Sequence, residues 1–174
     1  MKTLKEYIIE SYNDNSSLAE YLIVHCDYKY IVEPILNSNF SHVIESDDPY
    51  DFECSNATYP KIGIYYKAIY REKKEINIDS KLLNNGHIAT NKKEYKSFLA
   101  YIYEGNLCLI DAKEFNNKLD LSKAKPELQF ELSDNMKSIY NDIYNLYDNL
   151  SPQIKSSKDF KKFDEFKKFE EILK

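Results

Sequence analysis

The spacing of hydrophobic positions changes period twice along the chain. Residues 2–12 and 17–26 read as helices, and in the second Leu18, Tyr21, Leu22 and His25 recur at three- and four-residue steps. Ser17-Leu18-Ala19-Glu20 has the form of a capping box, in which serine and glutamate each satisfy a free amide of the first turn. Residues 30–32 extend this region as a short strand or helix end, interrupted by Pro34.

The period then drops to two. Residues 41–45 and 50–54 read as strands about a turn at Asp47-Asp48-Pro49, and 56–60 as a loop. Over residues 62–70, Ile62, Ile64, Tyr66, Ala68 and Tyr70 share one face, and Gly63, Tyr65, Lys67 and Ile69 share the other. Residues 75–79 alternate with Ile76 and Ile78 inward, and Asn84-Asn85-Gly86 marks a turn. Residues 98–103 and 107–111 are continuous apolar runs separated only by Glu104-Gly105-Asn106, which predicts a hairpin covered on both faces.

After Pro126 the helical period returns. Met136, Ile139, Tyr140, Ile143, Tyr144, Tyr147 and Leu150 fall on one stripe, ended by Ser151-Pro152. Phe160, Phe163, Phe166, Phe169 and Ile172 follow at steps of three, a stripe that winds around an α-helix and predicts an oblique crossing. The pattern as a whole predicts an α/β protein with a mixed five-stranded sheet (near 50–54, 62–70, 75–79, 98–103 and 107–111) flanked by helices. Residues 1–124 form its core, and 125–174 a C-terminal helical extension packing on that core.

Composition narrows the chemistry. Three glycines, Gly63, Gly86 and Gly105, are too few and too scattered for a phosphate-cradling loop, which argues against P-loop and dinucleotide-binding folds. The 16 Tyr and 9 Phe supply core volume where the 43% hydrophobic content is modest. Cys26, Cys54 and Cys108 are far apart and odd in number, with no zinc spacing, so free thiols in a reducing cytoplasm are expected. No apolar run approaches the length of a membrane span, and no partner membrane is expected. The net charge of −5 argues against binding nucleic acid through phosphates alone and suits contact with a basic protein surface.

One stretch carries candidate chemistry. A helix bearing Glu20 is followed by Pro49-Tyr50-Asp51-Phe52-Glu53 opening a strand, then by Lys61-Ile62-Gly63-Ile64-Tyr65-Tyr66-Lys67. Glu94-Tyr95-Lys96 leads into the two apolar strands and then into residues 112–119. This succession, over roughly residues 17–119, resembles the PD-(D/E)xK nuclease superfamily of restriction and homing endonucleases. The resemblance implies a restriction-endonuclease-like core with a helix at 112–119. It also implies Mg²⁺ held by Asp51 and Glu20, Lys67 positioning or deprotonating the attacking water, and DNA as substrate.

Tyr65 stands where the family carries its second carboxylate. A phenol, with a pKa of about 10, stays neutral at pH 7 and is a poor Mg²⁺ ligand. Glu53, two residues after Asp51, is the compensating candidate, as a metal ligand and in catalysis, because strand alternation sends both side chains to one face. Each residue also has a structural reading: Glu20 in its capping box, Asp51 in turn chemistry beside Asp47 and Asp48, Lys67 as a solvent-facing strand lysine.

Three functions follow. One is an active or relict Mg²⁺-dependent DNA endonuclease of restriction, mobile-element or phage-defence context. Another is a non-enzymatic acidic inhibitor of immunity or anti-CRISPR type. Its carboxylates, drawn from Asp47, Asp48, Asp159, Asp164, Glu165, Glu170 and Glu171, would meet a basic partner. The third is a homodimer joined through the C-terminal aromatic stripes. His25, His42 and His87 form no base-and-orienter pattern and are expected to be structural.

Overall fold

The computed structural model describes residues 18–45, 51–66, 75–77, 95–115 and 118–173. They divide into two compact units. One is helical and combines residues from Met1–Val32 with Ser133–Lys174; the other, Glu33–Leu132, is built on β-structure. The helix expected at 2–12 and the turn at 84–86 lie outside the described residues.

In the helical unit, α1 (Leu18–Asp27) runs into a π-helical turn at Tyr28–Val32. Ala19, Leu22, Ile23 and Cys26 are buried at three- and four-residue steps, a stripe set one position on from the Leu18, Tyr21, Leu22, His25 spacing; of those four Leu22 and His25 are buried. Helix α3 (Asp134–Asp148) starts at Ser133, whose Oγ accepts the Met136 N–H at 3.2 Å. It buries Ile143, Tyr144 and Tyr147 and ends before Ser151, which caps the short α4 (Pro152–Lys155) with proline in its first turn. The Tyr144 hydroxyl donates to Asp27 Oδ2 at 2.8 Å, a buried polar link between α3 and α1.

The phenylalanine stripe does not wind around one helix. It is divided between a 3₁₀ turn at Phe160–Lys162 and α5 (Glu165–Leu173). At the junction the Phe166 and Lys167 N–H groups bond back three residues, to the Phe163 and Asp164 carbonyls. That tightening brings the local period to three, and three-residue spacing then matches the turn. Phe166 and Phe169 are buried.

The second unit opens with α2 (Glu33–Asn39), with Pro34 tolerated in its first turn. Among the described residues its main sheet holds six strands in the order β1-β2-β3-β5-β6-β8: His42–Glu45, Phe52–Ser55, Ile62–Tyr66, Lys96–Tyr103, Asn106–Asp111 and Leu128–Glu131. Among the described residues only β3 and β5 pair in parallel, and the other neighbours are antiparallel. The sheet is therefore mixed, as expected, with one strand more than the five predicted.

Three expectations are corrected. Strand β4 (Glu75–Asn77) does not join the main sheet; it pairs with β7 (Lys118–Asp120) in a separate two-stranded sheet. The segment 112–119, expected as a helix, is a 3₁₀ turn at Ala112–Glu114 capped by Asp111 and then β7. Strand β8 was not foreseen.

The hairpin stands as predicted and turns on two residues, since Tyr103 pairs with Asn106. Glu104 and Gly105 have φ of 48° and 79°, both in the left-handed region that a tight hairpin of this twist requires. Both faces are covered. Phe98 through Ile102 and Leu107 through Ile110 are all buried. On one face Leu99, Tyr101, Cys108 and Ile110 pack with Ile76, Leu119 and Leu121, so the small β4–β7 sheet roofs this part of the large one. On the other, the rings of Phe40 and Phe130 meet edge-on at 6.4 Å.

Candidate functional site

Strand β2 begins at Phe52, which leaves Asp51 just outside the regular ladder. The Asp51 N–H donates to the Ile64 carbonyl at 2.9 Å, although Phe52 is the residue paired with Ile64. Its carboxylate turns along β3 and accepts the Tyr66 N–H at 2.8 Å. Asp51 is thus oriented by two hydrogen bonds to β3, and strand alternation governs only from Phe52 onward. Glu53 sits within β2, half-buried, with Gly63 and Ile44 as cross-strand neighbours. Asp51 and Glu53 are two positions apart, about 7 Å along an extended backbone.

The remaining proposed ligands are placed differently. Glu20 belongs to α1 in the helical unit and is half-buried; Ser17, its capping-box partner, lies outside the described residues, as does Lys67. Tyr65 pairs with Leu99 across the parallel β3–β5 ladder and packs against the apolar cluster of Ile76, Leu99, Tyr101 and Ile110. Tyr65 is half-buried, and a carboxylate there would stand beside that apolar cluster and lose part of its hydration. A phenol fills the same space with an apolar ring and one polar tip. Among the described residues no group of three or more His, Cys, Asp or Glu side chains converges as a metal site.

A second constellation, which the sequence did not disclose, joins residues from four segments. Lys96 Nζ contacts Glu127 Oε1 at 2.7 Å and Asp111 Oδ2 at 3.6 Å, and the Tyr59 hydroxyl donates to Glu127 Oε2 at 2.9 Å. The ammonium lies 5.8 Å from the centre of the Tyr59 ring and 5.4 Å from that of Phe98. Each member is held from below. Asn56 Oδ1 accepts the Thr58 and Tyr59 amides, Lys96 N–H donates to the Lys61 carbonyl, and Glu127 N–H to the Leu109 carbonyl.

The electrostatics of this cluster are those of a clamp. The hydrogen bond from Lys96 holds the Glu127 carboxyl below its ordinary range, and the bond to Glu127 raises Lys96. The Tyr59 hydroxyl is raised chiefly by the same carboxylate. At neutral pH the lysine is charged and the phenol neutral, so neither can act as a general base. With Lys96 and Glu127 each about a third exposed, the pair fixes geometry more than it stabilises. No family model matches the chain, and no curated protein is significantly similar to it.

Proposed function

We propose that this protein is a non-enzymatic binding protein of the inhibitor or immunity type, acting on a basic protein surface. The observation that carries this reading is Tyr65: the position the nuclease resemblance assigns to a second metal ligand is a phenol packed against Ile76, Leu99 and Tyr101. The net charge of −5 favours a basic partner over the phosphate backbone. Exposed carboxylates at Glu45, Glu131, Asp164 and Glu171 are candidates for the contact; Asp159 is ion-paired with Lys162 at 2.9 Å and is a weaker one.

The experiment compares duplex binding, plasmid cleavage and partner association with the full chain. The binding-protein reading expects no duplex shift near physiological salt and no Mg²⁺-dependent cleavage. It also expects association with a basic protein whose rate falls as salt rises, charges being screened over about 8 Å at 0.15 M. Tight, salt-sensitive DNA binding by the isolated chain would sink it.

A nuclease of the PD-(D/E)xK type is the second reading, favoured by two adjacent carboxylates, Asp51 and Glu53, at the junction of β2 and β3. In that reading Asp51, Glu53 and Glu20 hold Mg²⁺, Lys67 attends the attacking water, and Asp51→Ala abolishes cleavage. Cleavage that survives Asp51→Ala rules it out.

A further inference from the structure

A cavity of about 310 Å³ opens on the roofed face of the large sheet, beside the hairpin turn. Tyr101 and Tyr103 of β5, Cys108 of β6 and Gln129 of β8 contribute its sheet wall, and Glu104 and Ser122 stand among its polar lining groups. The wall follows from the register. Tyr101, Cys108 and Gln129 form one cross-strand row, and cross-strand partners project from the same face. The next row is Tyr103, Asn106 and Glu131.

Three features give this cavity a sign. Among the described residues lining it, Glu104 is the only charged one and none is lysine or arginine. Its neutral polar groups include acceptors: the Gln129 amide, whose nitrogen is turned to Cys108 Sγ at 3.9 Å, and the tyrosine oxygens. The Tyr103 hydroxyl is held above its ordinary range by burial and then by the Glu104 carboxylate, to which it is hydrogen-bonded, and by Asp120.

Glu104 itself is an unexpected residue for its position. With φ of 48° it occupies a left-handed site where glycine, asparagine or aspartate would serve the turn at less cost. The Tyr103 hydroxyl hydrogen-bonds the Glu104 carboxylate, which holds that carboxylate beside the cavity.

We infer that this cavity is a binding site for a planar organic cation, a guanidinium group, paired with the Glu104 carboxylate and set against the Tyr103 side chain. A guanidinium fits better than a compact ammonium because it pairs with a carboxylate through two parallel N–H donors and stacks on aromatic rings. The group comes either from a free small molecule or from an arginine side chain of another protein.

Calorimetric titration of the full chain with agmatine tests the site, with butylurea as the uncharged planar control. Saturable agmatine binding is expected, absent for butylurea and weakened about tenfold or more in Glu104→Gln, the loss typical of truncating one partner of a charge pair. Glu104→Gly should lose binding equally while raising the thermal midpoint, since glycine relieves the left-handed turn; a merely damaged fold would melt lower. A terminally blocked arginine pentapeptide assigns the source. Binding tighter than agmatine points to a protein side chain, and weaker binding to a free small molecule. No saturable agmatine binding, unchanged affinity in Glu104→Gln, or equal binding of butylurea overturns the proposal.

Discussion

His25 offers a quantitative test of how the helical unit is held. It lies on α1, 4% exposed, and burial together with Lys29 one turn onward lowers its pKa from 6.5 to about 4. The unfolded chain therefore takes up a proton more readily than the folded one, and acid draws the equilibrium toward unfolding. Stability is undiminished by this group above about pH 6.5 and is lost as the pH falls toward 4. Between pH 7 and pH 5 the loss is about 2 kcal/mol, at roughly 1.4 kcal/mol per pH unit over the range where only the unfolded state is protonated. Urea denaturation followed by circular dichroism reads this directly, as a midpoint shift of about 1 M for an ordinary urea slope. His25→Leu removes the titrating group and leaves the carboxylates that also respond to acid, so the variant should lose about 2 kcal/mol less than the parent. Equal losses in the two proteins would refute the reasoning, and so would a parent that gains stability on acidification.

Further outcomes are expected. Tyr144→Phe removes the 2.8 Å bond to the buried Asp27 carboxyl and should cost about 1–3 kcal/mol in the same assay; a loss below a few tenths would mean the bond contributes little. Burial pushes the Cys108 thiol up to about 11, Cys54 to about 12 and Cys26 upward as well. All three should resist a thiol reagent at pH 8 until denaturant is added, and a fast-reacting native thiol would contradict this. Lys96→Met should cost no more than about 1 kcal/mol, because its partners are solvent-screened. It should also let the Glu127 carboxyl rise toward its ordinary pKa, measurable by NMR titration; an unchanged Glu127 would show that Lys96 is not what depresses it.

The parts of the fold that the sequence discloses are those whose signal is local and long. The β5–β6 hairpin carries two apolar runs and a turn glycine, and its register follows from the two-residue loop. Strand β8 has only Leu128 and Phe130 as apolar positions soon after Pro126, too short a run to outweigh the helical pattern that follows. Strand β4 alternates as expected, yet its partner β7 lies more than forty positions onward, and alternation does not name a partner. The phenylalanine spacing was plain, but the period of the backbone beneath it was set by two three-residue hydrogen bonds.

The candidate site divides along the same line. Asp51 and Glu53 were legible because they are neighbours in sequence. The hydrogen bonds that orient Asp51 run to Ile64 and Tyr66, and depend on a pairing that spacing alone does not reveal. Tyr59 and Glu127 are 68 positions apart, and Lys96 and Glu127 are 31 apart. Only the assembled order β3-β5-β6-β8 brings these three segments to one end of the sheet.

The helical unit is discontinuous: α1 comes before Glu33–Leu132, and α3, α4 and α5 after it. During synthesis the whole of the sheet-bearing stretch therefore emerges while α1 still lacks the helices it packs with. The Asp27–Tyr144 bond, spanning 117 positions, is among the last contacts that translation permits. Closing so long a loop from a disordered chain costs about 4 kcal/mol of entropy, a cost that falls once the intervening residues have folded. Vectorial synthesis thus favours an order in which Glu33–Leu132 folds first and the helical unit closes last. A chain cut short before Ser133 would keep every strand of the large sheet and leave α1 with a buried face and nothing from the second half to cover it.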